Sequence, residues 1–535
     1  MFPRWQVLIA LLALPSLAAA QATLADPGLC TSDGTKPETG IAACTRLIEL
    51  DKLSPQAKST YHSFRGDFWR AKGDEARAIA DFTESIRLNP ASVTAFNRRG
   101  RTFEDIKEFE RAMSDFNAAI QLDSQNSYAL TGRGRIWRHK QNHTRAIADF
   151  SEALRLDPQD ASSYTLRGIS REEMKDYDRA LADYSSGIQL DPTDYRYFLR
   201  ALVLMDHKGD IDGAIRDLND AIRLAPQDAG FHSTRGRAWL EKNDLDRAIV
   251  DFTEAIRLEP GGANAFFNRG IAWQRKKDYK NALADFDAAA RLNSKHRATY
   301  SNRGQANAEL NNFPAAVADY TEALRIGPPT AILYANRAIA KRRLNDLDAA
   351  LADLNEAIKL SPDYAWAYAE RGNIRIFKKE YDKSVDDYSE AMRLEPKNLD
   401  HLWWRGNAWY GKGRFTQALF DINTLIERSE KELPGAYNRL AWLLAAAPFT
   451  HRDGKRAVQY ATKANELTQW ENPLFMDTLA AAHAEAGNFS EAIRWQMRAL
   501  EFPSYQKRSD AAEGRQRLEL YRKGQPYRMA RKDTP

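Results

Sequence analysis

Residues 263–296 read ANAFFNRGIAWQRKKDYKNALADFDAAARLNSKH. Phe266, Gly270 and Trp273 mark the first half of this stretch, and Ala282, Phe286 and Ala289 mark the second. Apolar and small residues recur at spacings of three and four in both halves. That spacing predicts two amphipathic helices of about 13 residues joined by a polar turn. Two such helices cannot bury their apolar faces alone, so neighbours must stack on them.

The neighbours repeat the pattern. Prolines stand at 90, 158, 192, 226, 260, 328, 362 and 396, and Ser124 and Ser294 fill the skipped places of a 34-residue period. A fixed period of this size signals a repeat array. With proline as position 32, eleven units run without a gap from Ser59 to Glu432, over 374 residues. Position 8 is Gly in nine units, position 20 is Ala in ten, position 27 is Ala in eight and position 24 is aromatic in eight. The small residues let helix A and helix B approach closely, and the aromatic fills the space beside them. Turns such as Lys72-Gly73-Asp74 separate the helices, and the closing Asn-Pro or Asp-Pro ends helix B.

The protein has 535 residues, a formal charge of +5, 28% charged and 43% apolar residues. Seven Val argue against a β-rich protein. Two Cys exclude a disulfide-dense scaffold and a Cys-based zinc array. A charge this near balance does not suit an obligate nucleic-acid binder.

Residues 1–20 read as a secretory signal. Arg4 precedes the apolar run Val7 to Leu14, and Ala18, Ala19 and Ala20 fit a cleavage site before Gln21. The expected location is periplasmic or secreted, with cleavage favoured over an uncleaved anchor. The apolar run is short for a bilayer span, and no second long apolar run follows. In an oxidising compartment Cys30 and Cys44 are expected to form a disulfide. Closing that loop is worth about 3 kcal/mol in the chain-entropy model. The bridge is expected to staple an irregular N-terminal strip onto a helix over Ile41 to Leu50.

The recurring positions resemble the tetratricopeptide repeat family. The resemblance implies an all-α fold: an α-solenoid wound as a right-handed superhelix, with a concave groove lined by the A helices. The expected organisation is a signal (1–20), a disulfide-stapled cap with a half-repeat (21–58), eleven regular units (59–432), two atypical units (433–506), and a capping helix with a frayed tail (507–535). Tyr437 to Leu467 reads as a unit with about four extra residues, Phe449 to Arg452, making about 13 units in all.

Where the family mostly carries Leu at position 7, this protein has Arg in ten of eleven units; position 23 is Asp in all eleven. Guanidinium and carboxylate suit bidentate pairing. A ladder of structural pairs such as Arg269 with Asp285 is expected, within or between repeats. The fifth unit has Ala201 at position 7 and Arg200 one place earlier, so Asp217 is expected to lack the ordinary partner.

Positions 2, 5, 9 and 12 of helix A share one face, which the resemblance places in the groove. That face holds a basic zone of Arg70, Arg101, Arg135, Arg138 and Arg237. It also holds an aromatic–amide zone of Trp366, Asn373, Trp403, Asn407 and Tyr410. Asn268, Asn302 and Asn336 occupy position 6 of three successive units, where some members of the family hold peptide backbone. The co-chaperone clamp for a C-terminal carboxylate is absent, because Phe267 and Ile271 stand in its first-helix places. These residues point to a non-enzymatic cell-envelope scaffold that binds a protein or peptide. The alternative is a polysaccharide-binding scaffold with Trp366, Trp403 and Tyr410 as stacking residues. No cofactor, metal site, catalytic residue or nucleic-acid partner is expected, and no membrane span after signal removal.

Overall fold

The computed structural model describes residues 27–32, 34–50, 52–448, 452–508 and 510–529. The expected signal, residues 1–20, lies outside them, as do Phe449 to His451 of the expected insertion. Among the described residues there is no strand. Helices follow one another in pairs as an α-solenoid, divided into two compact units between Gly261 and Gly262.

The first unit opens with Pro37–Ile48 and runs through the pair Pro55–Ala71 and Glu75–Leu88 to the pair Ala229–Glu241 and Leu245–Leu258. The second runs from Ala263–Arg275 and Tyr279–Leu292 to Pro473–Glu485 and Phe489–Glu501, and Asp510–Arg522 closes it. In each unit helix A packs on its own helix B, and helix B packs on the following helix A.

The turn between A and B has one construction in ten of the eleven regular repeats, the fifth differing by one residue in its closing bond. Position 15 is left-handed in each, from Gly73 (φ 77°) and Lys107 (φ 63°) to Gly413 (φ 81°). The next N–H reaches back five residues, as from Asp74 to the Trp69 carbonyl at 2.9 Å. This six-to-one bond satisfies a carbonyl that the end of helix A leaves open. The side chain at position 16 then caps helix B: Asp74, Asn142, Asp244 and Asp346 each accept a backbone N–H from the first turn.

Position 24 fills the interface. Phe82, Phe116, Phe150, Phe252 and Phe286 are fully buried. Position 8 must be small to admit them: a Cβ on Gly270 would lie 2.7 Å from the Phe286 ring.

The fifth repeat departs from the others in register. Thr193, not the residue after it, caps helix A, and Asp194–Val203 starts one residue early. The π-helical turn Leu204–Lys208 absorbs the extra residue before left-handed Gly209. Arg200 is thereby carried to the place that other repeats give to position 7, with Ala201 at the place of the glycine.

Cys30 and Cys44 are joined by a disulfide, and both are buried with Ala43, Leu47 and Phe68. The segment before the bridge is not irregular as expected, because residues 27–31 are helical. Converting both cysteines to serine is expected to cost about 3 kcal/mol. Hydrogen exchange in Pro55–Ala71 should accelerate first; unchanged protection there would show that the bridge does not hold the cap.

Residues 510–529 are held against the last repeats, and the rest of the tail expected to fray, residues 530–535, lies outside the described residues. Arg517 of the closing helix donates to Asp477 at 3.1 and 2.9 Å, with both residues buried. Burial alone would lower the Arg517 pKa, but the Asp477 carboxylate and Tyr505 hydroxyl outweigh it and raise it. Beyond the helix, Met529 N–H bonds the Ala446 carbonyl at 3.0 Å. Tyr527 lies 5.8 Å from the Trp442 ring, and Arg528 pairs with Glu485. Residues 526–529 are thus ordered against the last repeats.

Candidate functional site

The arginine column is built into the stack. Arg269 Nε and Nη2 donate to the two Asp285 oxygens at 2.8 and 2.7 Å. The same fork closes Arg99 on Asp115, Arg235 on Asp251 and Arg405 on Asp421. In the fifth repeat Asp217 does have a partner: the register shift brings Arg200 to it at 2.7 Å for both bonds.

Within each unit the third nitrogen of these forks reaches the preceding repeat. Nη1 of Arg99, Arg133, Arg337 and Arg405 donates to Thr83, Asn117, Thr321 and Ser389, all at position 25 of the previous helix B. Arg65 finds Thr45 in the same way, so Pro37–Ile48 serves as the helix B of a half-repeat. The pairs lie within repeats, and the same arginines tie repeats together. Aromatic residues three places earlier lie beside several guanidiniums, as Tyr300 does for Arg303 at 5.2 Å. Arg171, Lys341 and Arg375 add a second cation to Asp183, Asp353 and Asp387. Burial raises the Asp387 pKa, and bonds from Arg371 and Arg375 oppose this without reversing it.

The basic zone of the first unit is largely neutralised on its own face. Arg135 forks onto Glu104 at 2.8 and 3.0 Å. Arg101 pairs with Glu104 and Asp105 at 3.3 and 3.1 Å, and Arg237 pairs with Asp206 at 3.0 Å. Arg70 and Arg138 have no ion-pair partner among the described residues and are half-buried.

The asparagines are not alike. Asn302 donates to the Ala298 carbonyl of its own helix at 2.9 Å, and Asn407 does the same to Trp403 at 2.7 Å. Asn373 accepts from the Tyr388 hydroxyl at 2.6 Å. Asn268 and Asn336 are half-buried at position 6. Trp366 stacks on Tyr364, with centroids 5.8 Å apart.

Trp403 and Tyr410 come together in the second unit, where they line a cavity of about 420 Å³ with Asn438, Arg439 and Trp442. This volume falls in the range of small-ligand pockets. Pro434–Ala446 supplies the last three residues, and Leu474, Asp477 and Arg517 form the far wall. Trp442 Nε1 donates to the Tyr410 hydroxyl at 3.2 Å, and that hydroxyl donates to the Met529 sulfur at 3.6 Å. Arg439 lies over the Tyr410 ring at 4.4 Å. Asn438, Arg439 and Trp442 are missed by the repeat columns, because the twelfth repeat is out of the 34-residue register; alignment on its buried Ala436 and Ala441 recovers them. A second cavity of about 440 Å³ includes Asn373, Phe377 and Trp404. Among the described residues no cluster of three or more metal-ligating side chains occurs, and no helix is long and apolar enough to cross a membrane.

The family model described as "Tetratricopeptide repeat" matches residues 70–127, 108–161, 165–229, 233–297, 277–331 and 370–432. A second, "TPR repeat", matches residues 340–376. Together they cover more than half of the sequence. No match is found among curated proteins. Similar solved structures include a tetratricopeptide repeat protein from Parabacteroides merdae, at 18% identity over 46% of this chain and 98% of that one, with a TM-score of 0.34. PilF of Pseudomonas aeruginosa is similar at 18% identity over 39% and 94%, with a TM-score of 0.36. Yeast Tom70 is similar at 16% identity over 77% and 99%, with a TM-score of 0.32. At such identities and TM-scores these likenesses carry no argument about function. The matched repeats and the stacked helix pairs that they form identify the protein as a member of the tetratricopeptide repeat family, built as a protein-interaction scaffold.

Proposed function

We propose that the protein is a non-enzymatic scaffold of the cell envelope that binds a peptide or protein on the A-helix face of its second unit. The observation that carries this reading is the cavity between Trp403, Tyr410, Asn438 and Trp442. Aromatic walls with amide and guanidinium groups between them suit a peptide, which offers side chains and a polar backbone together. The envelope location rests on the signal-like residues 1–20 and on the Cys30–Cys44 disulfide, which suits an oxidising compartment.

The polysaccharide alternative needs free ring faces. Tyr364 stacks on Trp366, Arg439 lies over Tyr410, and Arg517 and Tyr527 lie against Trp442. Of the three expected stacking residues, Trp403 remains the best placed. These contacts favour the peptide reading.

Photo-crosslinking in native cells tests it. A crosslinker at Trp403 is expected to capture a discrete protein, and one at exposed Phe420 of helix B is not. Equal capture from both positions would sink the groove reading. Glycan binding that Trp403→Ala abolishes would favour the polysaccharide instead.

A further inference from the structure

Each regular repeat supplies its ladder arginine with a carboxylate, but the cavity of the second unit holds an arginine that has none. In Pro434–Ala446, Leu440 takes the ladder place, and Arg439 sits one residue earlier on the cavity side. No carboxylate lies within ion-pair distance of Arg439 among the described residues. The two acidic residues of the cavity wall are both engaged by Arg517: Asp477 at 2.9 Å and the exposed Glu513 at 3.4 Å. Burial lowers the Arg439 pKa, and the Tyr410 hydroxyl is the group that opposes this. On the same helix, Asn438 Oδ1 is buried with no hydrogen-bond partner. A half-buried cation beside an unfilled acceptor is unfavourable until a ligand completes both.

We propose that this cavity binds a peptide carboxylate, with Arg439 donating to the carboxylate and Asn438 Oδ1 accepting a backbone N–H of the same peptide. The proposal rests on the peptide-binding reading above. The guanidinium fork matches a carboxylate in plane and spacing. Trp403 and Trp442 wall the neighbouring space, where an apolar side group of the peptide fits. A uronate would carry the same charge, but its sugar ring needs the aromatic faces that Arg439, Arg517 and Tyr527 cover. The carboxylate comes either from the free C-terminus of the peptide or from one of its Asp or Glu residues.

Fluorescent random octapeptide pools test the assignment on the full-length protein. One pool has free C-terminal acids, one is amidated, and one is amidated and lacks Asp and Glu. The carboxylate-free pool is expected to bind at least about tenfold more weakly than the best of the others, the size of one charge-assisted pair. The acid and amide pools tell the C-terminus from the acidic residues. Arg439→Gln should remove the difference, and Arg439→Lys should retain part of it. Should Arg439→Gln fail to fold, the pools on the unaltered protein decide. Equal binding of all three pools, lost in Trp403→Ala, overturns the carboxylate site and leaves the groove reading standing. No binding by any pool overturns both. Binding of oligogalacturonate with none of the peptides overturns the peptide assignment.

Discussion

Replacing Arg269 with alanine is expected to destabilise the second unit by about 3 kcal/mol or more. The Asp285 side chain is only 7% exposed, and two bonds from Arg269 hold it. Alanine removes those donors and leaves a carboxylate with little access to water. The cost comes from the stranded charge, not from a large net value of the pair. Exchanging both partners for apolar residues, Arg269→Met with Asp285→Leu, should therefore be near neutral or stabilising. The exposed pair of Arg325 and Glu322 provides the contrast, and Arg325→Ala should leave the midpoint unchanged. A repeat array need not unfold in one step, so the loss should be read locally. Hydrogen exchange in Ala263–Arg275 and Tyr279–Leu292 is the measurement. Unaltered protection in Arg269→Ala would remove the idea that the ladder is buried.

Phe286→Ala is expected to cost about 3–5 kcal/mol, as for other fully buried aromatics. Its ring lies between Ala282, Ala306 and Phe267, with no exposure to solvent. Deleting it leaves a cavity that the two helices close only in part. The same ring makes Gly270 obligatory, since an added Cβ would lie 2.7 Å from it. Gly270→Ala should thus be destabilising in the natural protein and much less so beside Phe286→Ala. Chemical denaturation of the two single variants and the double variant measures that coupling. Simple additivity would mean that Gly270 is small for another reason.

The regular repeats are legible because one helix pair is selected eleven times for the same neighbours. A column of Gly, Ala and aromatic residues therefore carries the packing in plain sight. Arg269 and Asp285 stand out for the same reason: the pair recurs at fixed places. Register changes defeat this way of reading. The fifth repeat keeps its length, so its proline spacing hides an early start at Thr193 and the π turn that follows. The signal was present, since Arg200 and Ala201 are Arg and the small residue moved together by one place. In the twelfth repeat the period carried forward puts Asn438 at position 6 and Arg439 at position 7, but the helix begins one residue late at Pro434, so Arg439 passes as one more ladder arginine.

Period and residue size along the sequence are enough to specify the helix pairs, their order, and which side chains meet between A and B. Those contacts are local, a repeat apart at most. The tertiary structure decided which arginines are neutralised. Arg135 meets Glu104 from the preceding helix A, whereas Arg439 meets Tyr410 and no carboxylate among the described residues. It also decided that residues 526–529 are seated, with Tyr527 and Met529 touching residues far back in the sequence. Whether a charge is spent inside the fold or left for a ligand depends on partners that no spacing along one helix reveals.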